Sequence, residues 1–309
     1  MLNLPQSALG RCLHLSGKDI KLTTLEDIGF GQDIPFVLIS GPCVIEDEKT
    51  TFDIASHLKQ ITGELHIPFV FKASYDKANR TAITSYRGPG IQKGLEILGR
   101  IKSELGVRVL SDVHRITEVA DAADVLDIIQ VPAFLCRQTD LIRAIAATRK
   151  PINIKKGQFV APWDIPHIAG KATGSGDRQV IITERGTMFG YNNLVVDFRG
   201  IKIIRDAGWP VVFDATHSVQ LPGGAGASSG GQREFAPLLA RAAIAAGVDG
   251  IFMEVHKDPE KALCDGPNSL RLDDLYDLLV RLKAIAASAG RRPLMTPVAR
   301  SSMTAGSQV

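Results

Sequence analysis

The sequence predicts an α/β fold of the (β/α)8 class, a TIM barrel, with an N-terminal β-hairpin that caps the bottom of the barrel. Short apolar runs recur at intervals of roughly 30 residues, which is the repeat of one strand–helix unit in such a barrel. Amphipathic segments with helical periodicity separate these runs. The 309-residue chain also has the length that eight units require.

Most of the predicted strands are continuous apolar runs, which is typical of parallel strands buried on both faces. They span Pro35–Ser40, Pro68–Ser74, Val107–Val113, Leu126–Val131, Pro151–Lys155, Gln179–Thr183, Pro210–Asp214 and Gly250–Glu254. The clearest predicted helices span Glu48–Leu65, Gly90–Leu105, Gln232–Ala246 and Leu270–Ala287. A doubly wound sheet is disfavoured because no G-x-G-x-x-G motif opens a helix after the first strand.

We divide the chain into an N-terminal hairpin or cap (1–34), a barrel that forms the catalytic domain (35–290) and a C-terminal tail (291–309). The hairpin is predicted at Cys12–Leu22, where Ser-Gly-Lys-Asp suits a tight turn. The tail is polar, aperiodic and rich in small residues, so we predict that it is disordered.

Composition argues against several classes of protein. The net charge of +3 is too small to indicate a nucleic-acid partner. The first ten residues do not resemble a secretory signal, and no stretch approaches the ~20 apolar residues of a membrane-spanning helix. The four cysteines are scattered and form no C-x-x-C pair, so a disulfide framework is not expected. We therefore expect a cytoplasmic protein with neither nucleic-acid nor membrane partners.

Polar residues follow nearly every predicted strand, and in this fold the chemistry lies at the C-terminal ends of the strands. The cations there or just beyond are Lys72, Lys77, Arg80, Arg137, Lys155 and Arg185. The other polar ends include Ser74, Asp112, His114, Gln130, Asp214 and His256. Any single cation is equally well explained by a surface ion pair. Converging cations as a set indicate anionic ligands, most simply phosphate together with carboxylate.

A second group consists of Cys43, His217, Glu254 and Asp265. These residues follow the first, seventh and eighth strands, which become neighbours when the barrel closes. One thiolate, one imidazole and two carboxylates suit a divalent transition metal such as Zn²⁺, Fe²⁺ or Mn²⁺. A buried structural thiol and a hydrogen-bonded histidine remain the simpler alternative, because no two of these residues follow a metal-ligand spacing.

The segment Gln220–Gln232 (QLPGGAGASSGGQ) is rich in glycine and lies between the seventh strand and its helix. It is too long for a tight turn, and glycine allows it many backbone conformations. A mobile flap over the site and a plain flexible loop both remain open. The segment lacks the G-x-x-x-x-G-K-[ST] order of a nucleotide-binding loop.

At these same positions the sequence resembles the 3-deoxy-D-manno-octulosonate 8-phosphate synthase family, from about Pro35 to Leu272. The matching stretches include SGPCVIE (40–46), FKASYDKANRTAITSYRGPG (71–90), QVPAFLCRQTDL (130–141), INIKKGQF (152–159), FDATHSVQ (213–220) and CDGPNSL (264–270). The resemblance implies condensation of phosphoenolpyruvate with D-arabinose 5-phosphate and water, with release of phosphate, for lipopolysaccharide biosynthesis. It also implies a homotetramer.

The resemblance assigns roles to individual residues. It implies phosphoenolpyruvate binding by Lys72, Ser74, Lys77, Gln130, Lys155 and Arg185. It implies arabinose 5-phosphate binding by Asn79, Arg80, Thr81 and Arg137, with Arg137 reaching the sugar phosphate across a subunit boundary. Lys77, Lys155 and His217 are the expected catalytic residues, and Cys43, His217, Glu254 and Asp265 the expected metal ligands.

The residue at position 43 separates two branches of the family. The metal-dependent branch has Cys there and the metal-independent branch has Asn, so GPCVIE places this chain with the metal users. However, Cys264 and Pro267, which flank Asp265, resemble the metal-independent branch. A divalent metal (Zn²⁺, Fe²⁺ or Mn²⁺) is therefore expected, while the need for it stays open.

In the resembling family C3 of phosphoenolpyruvate attacks the aldehyde carbon, water adds at C2, and the hemiketal phosphate then loses phosphate. No protein nucleophile is needed, and no G-x-S-x-G motif is present. The metal's role, orienting either water or the aldehyde, is left open.

Three alternatives remain. The first is 3-deoxy-D-arabino-heptulosonate 7-phosphate synthase, which takes erythrose 4-phosphate and has a shorter Lys-Pro-Arg-Thr in place of Lys77–Thr81 (KANRT). The second is a metal-dependent aldolase that uses the cations to bind a bisphosphate. The third is a non-catalytic barrel scaffold, which predicts defective site residues, whereas every motif position is filled here.

Overall fold

The computed structural model describes residues 23–25, 28–31, 34–174, 179–224 and 229–289. Within these ranges eight parallel strands form a closed barrel, and eight α-helices alternate with them along the chain. The predicted (β/α)8 fold is confirmed. The predicted boundaries at residues 34 and 290 stay a prediction, and the tail 291–309 lies outside the described residues.

The barrel strands follow one another in chain order around the barrel. They are β1 (Val37–Gly41), β2 (Phe69–Lys72), β3 (Arg108–Asp112), β4 (Ile128–Val131), β5 (Ile152–Lys155), β6 (Val180–Glu184), β7 (Val211–Asp214) and β8 (Gly250–His256). Pairing of β8 with both β7 and β1 closes the barrel, with Gly250 opposite Val37 and Glu254 opposite Gly41. Each predicted strand overlaps one of these elements, because both-face burial selects the continuous apolar runs.

The helices cover the outside of the barrel. They are α1 (Glu48–Glu64), α2 (Ile91–Leu105), α3 (Val119–Val125), α4 (Thr139–Ala147), α5 (Ile165–Thr173), α6 (Arg199–Asp206), α7 (Ala236–Ala246) and α8 (Leu275–Ser288). Between helices and strands lies the main apolar core, while a second cluster fills the barrel interior.

Two predicted helices begin later than expected. The segment predicted from Gln232 starts as a 3-10 turn at Arg233–Phe235, and α7 proper begins at Ala236. The segment predicted from Leu270 starts as the short strand Leu270–Arg271, which pairs in parallel with Val255 and His256 of β8. That pairing extends the backbone there, so α8 begins only at Leu275.

A hairpin precedes the barrel, formed by Thr23–Leu25 and Ile28–Phe30 in antiparallel pairing. Its Ile28 and Phe30 belong to the apolar cluster that fills the barrel interior. A Cβ built on Gly250, the first residue of β8, would lie 3.4 Å from the Phe30 ring, so the hairpin sits at the bottom of the barrel. The predicted hairpin position, Cys12–Leu22, lies outside the described residues.

None of the helices in the described part of the chain combines the length and apolar character needed to cross a membrane.

Gly41, the last residue of β1, supplies a test of how tightly the first two strands pack. A Cβ at this position would lie 2.0 Å from the carbonyl oxygen of Lys72 on β2. We expect Gly41→Ala to force the strands apart and to lower the free energy of unfolding by about 1 to 3 kcal/mol, as overpacking does. Urea denaturation followed by circular dichroism measures this change.

Gly63 in α1 is the matched control, because a Cβ there meets no atom within 4 Å. Gly63→Ala should raise the free energy of unfolding by about 0.5 to 1 kcal/mol, since alanine restricts the unfolded chain and favours helix. Equal stability of the two variants would contradict the packing described for the β1–β2 junction.

Candidate active site

A cavity of about 210 Å³ opens at the C-terminal ends of the strands. Eight of the predicted substrate-binding residues line it, namely Lys72, Lys77, Asn79, Arg80, Thr81, Gln130, Lys155 and Arg185. Polar residues whose roles had not been predicted also line it, namely Asp112, His114, Gln158, Gln220, Ser229 and Cys264. The cavity therefore collects side chains from across the barrel mouth.

Lys72, at the end of β2, is buried against a carboxylate from β8. Its Nζ donates to Glu254 Oε1 at 2.9 Å and to the Cys43 carbonyl oxygen at 2.8 Å. Burial alone would raise the pKa of Glu254, but His217 and Lys72 outweigh it and lower that pKa. Because β2 and β8 flank β1, this ion pair spans the strand that leads to Cys43.

A second buried ion pair joins Lys155 of β5 to Asp214 of β7. Lys155 Nζ also lies 3.8 Å from the centroid of the Phe252 ring. Burial lowers the pKa of Lys155, and Asp214 only partly opposes this. Because β5 and β7 flank β6, this ion pair spans the strand that leads to Arg185.

Asp214 also orients the imidazole of His217, whose Nδ1 lies 2.7 Å from Asp214 Oδ2. Burial opposes ionisation of Asp214, but His217 and Lys155 hold its pKa well below the usual range. The ionised carboxylate can only accept a hydrogen bond, so Nδ1 carries a proton. The other ring nitrogen, Nε2, is then directed at Glu254 and Asp265, at 3.5 and 3.7 Å from their carboxylate oxygens.

The predicted metal ligands come together as two overlapping triads. His217 Nε2, Glu254 and Asp265 form one set of donor atoms that all lie within 4.8 Å of one another. Cys43, Cys264 and Asp265 form the other. Cys43 Sγ lies 3.2 Å from Asp265 Oδ2 and 2.9 Å from Cys264 Sγ. Asp265 is thus shared, and Cys264 is a potential donor that the sequence had not predicted.

These donors suit a divalent cation. Glu254 Oε2 is buried and accepts no hydrogen bond from any residue that the structure describes. It lies 3.5 Å from His217 Nε2. Burial lowers the pKa of His217, but Asp214 and Glu254 outweigh it and raise that pKa, so without an ion the imidazole supplies the positive charge here. A divalent cation would take over that charge and displace the proton from Nε2. Burial, the hydrogen bond to Cys264 and the charge of Asp265 raise the pKa of the Cys43 thiol well above its usual range. A bound cation reverses that preference and stabilises the thiolate.

Asp112, at the end of β3, organises the opposite wall of the cavity. It accepts hydrogen bonds from Ser74 Oγ at 2.9 Å and from the Gln130 side chain, and Lys77 Nζ lies 3.7 Å away. Burial opposes ionisation of Asp112, but Lys77 and Lys72 hold its pKa below the usual range. Ser74 is therefore buried behind the cavity wall, and the Gln130 amide is committed to Asp112 and Asn153.

Arg185 follows β6 and is buried beneath the cavity surface. One of its terminal nitrogens donates to Gln220 Oε1 at 2.9 Å, while the other is buried and has no hydrogen-bond partner within the described ranges. Its backbone is held by Glu184, whose Oε1 accepts from the amides of Arg185 and Gly186. An unpaired, buried guanidinium donor is costly unless an anion binds it.

Arg137 is the one predicted substrate-binding residue that is exposed and does not line the cavity of its own chain. Arg80, by contrast, lines the cavity and donates to Cys264 Sγ at 2.6 Å.

The glycine-rich segment Gln220–Gln232 borders the cavity through Gln220, Pro222, Gly223 and Ser229. Gln220–Leu221 pairs with Gly230–Gly231, which brings the two ends of the segment together. Residues 225–228 lie outside the described residues. Whether the segment acts as a flap stays a prediction.

The DAHP synthetase I family matches residues 19–288 of this chain. Similar proteins named 2-dehydro-3-deoxyphosphooctonate aldolase include one from Desulfosudis oleivorans, 63% identical over 266 residues, or 86% of this chain and 95% of that protein. Another, from Geotalea daltonii, is 61% identical over 268 residues, 87% of this chain and 98% of its own. A third, from Geobacter sulfurreducens, is 61% identical over 264 residues, 85% and 97% of the two chains.

The residues matched by the family include the barrel, both ion pairs and both donor triads. The matches confirm the family resemblance carried by stretches such as GPCVIE and KANRT. The chain belongs to the DAHP synthetase I family.

Proposed function

We propose that the protein condenses phosphoenolpyruvate with D-arabinose 5-phosphate and water to give 3-deoxy-D-manno-octulosonate 8-phosphate and inorganic phosphate. The observation that carries this proposal is the cavity lined by five cationic side chains, in which the buried Arg185 keeps one terminal nitrogen unpaired. The relatives support it, since the phosphooctonate in their name is the same eight-carbon acid.

Phosphoenolpyruvate binds through Arg185 and the lysines at the ends of β2 and β5. Lys72 and Lys155 are fixed in place by Glu254 and Asp214, so their ammonium groups are already oriented when substrate arrives. Arg185 then uses its unpaired nitrogen to bind the phosphate or carboxylate.

Lys77 and Lys155 serve different purposes in the reaction. Burial opposes the charge of Lys77, but Cys43 and Asp112 raise its pKa well above the usual range, so Lys77 stays a cation between the two substrates. It stabilises negative charge as C3 attacks the aldehyde carbon. Burial lowers the pKa of Lys155, which makes its Nζ the better proton donor to the departing phosphate.

The sugar binds at the other side of the cavity, against Asn79, Arg80 and Thr81. Arg137 is exposed and does not line the cavity of its own chain, which supports its binding the sugar phosphate of a neighbouring copy. Large exposed apolar side chains near the barrel mouth, among them Phe134, Phe159 and Phe189, support an interface there. We propose a homotetramer, the assembly that the family resemblance implies, with this face at one of its interfaces.

Cys43, His217, Glu254 and Asp265 would hold a divalent Zn²⁺, Fe²⁺ or Mn²⁺. Such an ion supplies Lewis acidity that orients water or the aldehyde. The free, buried thiols of Cys43, Cys136 and Cys264 support a reducing compartment, the cytoplasm. The product would serve lipopolysaccharide biosynthesis.

The competing synthase that takes erythrose 4-phosphate is less well supported. Asn79 lies within KANRT, the longer segment that replaces Lys-Pro-Arg-Thr, and it lines the cavity where the sugar is placed. The extra length favours contacts with a five-carbon sugar.

Phosphate release from phosphoenolpyruvate tests the choice of sugar. We expect turnover with D-arabinose 5-phosphate and little with erythrose 4-phosphate at equal concentration. Preference for erythrose 4-phosphate would overturn the assignment, and no release with either sugar would favour the scaffold.

Arg185→Gln should raise the KM for phosphoenolpyruvate about 10- to 100-fold, because a hydrogen bond to a charged group contributes about 1.5 to 3 kcal/mol. The KM for arabinose 5-phosphate should change far less. Steady-state kinetics give both constants. The control is Arg199→Gln on the exposed start of α6, where Arg199 pairs with Asp197 outside the cavity. An unchanged KM in Arg185→Gln would remove Arg185 from the binding set.

Exhaustive chelation should abolish turnover, and Mn²⁺ or Zn²⁺ should restore it, because His217, Glu254 and Asp265 form a donor triad that a divalent cation would bind. Full activity in a sample proved metal-free by elemental analysis would contradict metal dependence. Cys43→Asn is the sharper variant. If it turns over without metal, this chain, which carries Cys264–Pro267 like the metal-independent branch, can catalyse the reaction without the ion.

A further inference from the structure

We propose that Cys264 is a second thiolate ligand, so that the ion is bound through two sulfurs in addition to Asp265. This inference rests on the metal site of the proposed function and adds a residue outside the predicted set of Cys43, His217, Glu254 and Asp265.

The geometry points to both sulfurs. Cys43 Sγ and Cys264 Sγ lie 2.9 Å apart, and together with an Asp265 carboxylate oxygen they form a triad within 4.8 Å. Both cysteines are buried, and neither forms a disulfide within the part of the chain that the structure describes. The triad shares Asp265 with His217 and Glu254, so the two sets of donors face the same small volume.

The sulfur–sulfur distance is that of a thiol hydrogen bond. Two sulfurs that each lie about 2.3 Å from one ion are roughly 3.3 to 4.0 Å apart for angles of about 90° to 120° at the ion. Binding would therefore move the sulfurs apart by roughly 0.4 to 1.1 Å as the ion replaces the hydrogen bond between them. Each thiol loses its proton to solvent, so one divalent ion and two thiols give a dithiolate complex and two protons.

Arg80 supplies the second observation. Its guanidinium donates to Cys264 Sγ at 2.6 Å, and a guanidinium is a favourable partner for a sulfur that carries negative charge. With two thiolates and two carboxylates around one divalent ion, the site has excess negative charge. Arg80, together with Lys72 on Glu254, offsets that charge.

A second thiolate has a consequence for the choice of ion. Thiolates favour Zn²⁺ and other softer ions, whereas carboxylate, carbonyl and water ligands suit Mn²⁺. Cys264 therefore biases this site toward Zn²⁺ over Mn²⁺, and Cys264→Ser should shift the ratio of the two dissociation constants toward Mn²⁺ by about tenfold or more.

Cobalt substitution counts the sulfurs directly. The reduced, metal-free, full-length protein is titrated with Co²⁺, and the sulfur-to-cobalt charge-transfer absorption in the near ultraviolet is measured. Cys43→Ser and Cys264→Ser should each reduce this band to about half of its wild-type intensity, because each removes one thiolate. Cys136→Ser is the matched control, since Cys136 is buried and free but belongs to neither triad.

Wild-type intensity in Cys264→Ser would overturn the proposal, as would the absence of a charge-transfer band in the wild-type protein. X-ray absorption on the unmodified zinc protein gives the sulfur count without relying on any variant: two sulfurs support the proposal and one refutes it. Phosphate release is measured separately. A two-sulfur site without turnover would refute the proposed function alone, and turnover with a one-sulfur site would refute this inference alone.

Discussion

The pairing of buried lysines with buried carboxylates is the interaction on which the polar end of this barrel depends. Lys72 with Glu254 and Lys155 with Asp214 each join two strands that flank a third. Burying any one of these charges alone would be strongly unfavourable, and removing one partner leaves the other uncompensated. The two pairs hold the ends of β2, β5, β7 and β8 in register around the cavity.

These pairs also change how the cations act on a substrate. A cluster of free lysines would attract anions by net charge, but four carboxylates, those of the buried Asp112, Asp214 and Glu254 and of the partly buried Asp265, balance most of that charge. Binding then depends on the orientation of donors already in place, a preorganised arrangement that needs little rearrangement when charge develops. Glu254 connects the cationic side chains with the metal-donor residues, since one of its oxygens contacts Lys72 and the other lies near His217.

Much of the fold could be predicted from the sequence because strands buried on both faces leave uninterrupted apolar runs, as at Val211–Asp214. Polar residues at the C-terminal ends of these runs identified most of the cavity, because those ends meet at one end of the barrel. What escaped prediction depends on pairing in three dimensions. Leu270–Arg271 becomes a strand only because β8 is beside it.

The roles of Asp112 and Asp214 escaped prediction in the same way. The sequence shows both as polar residues at strand ends, but only the folded barrel brings Asp112 to Lys77 and Asp214 to Lys155. Cys264 was noticed as an unusual neighbour of Asp265, and its contact with Cys43 spans 221 positions of the chain. No periodicity or local spacing carries that information.

The seam between β1 and β8 has a consequence for how the protein matures. Cys43 follows the first strand of the barrel, and Glu254 and Asp265 belong to its last strand and the loop beyond, aligned by the pairing of Glu254 with Gly41. A chain emerging from the ribosome holds Cys43 early but completes the donor set only when nearly the whole barrel has been synthesised. A ligand that needs all of these donors binds the closed ring and no earlier intermediate, so its binding free energy adds to the step that joins the two ends.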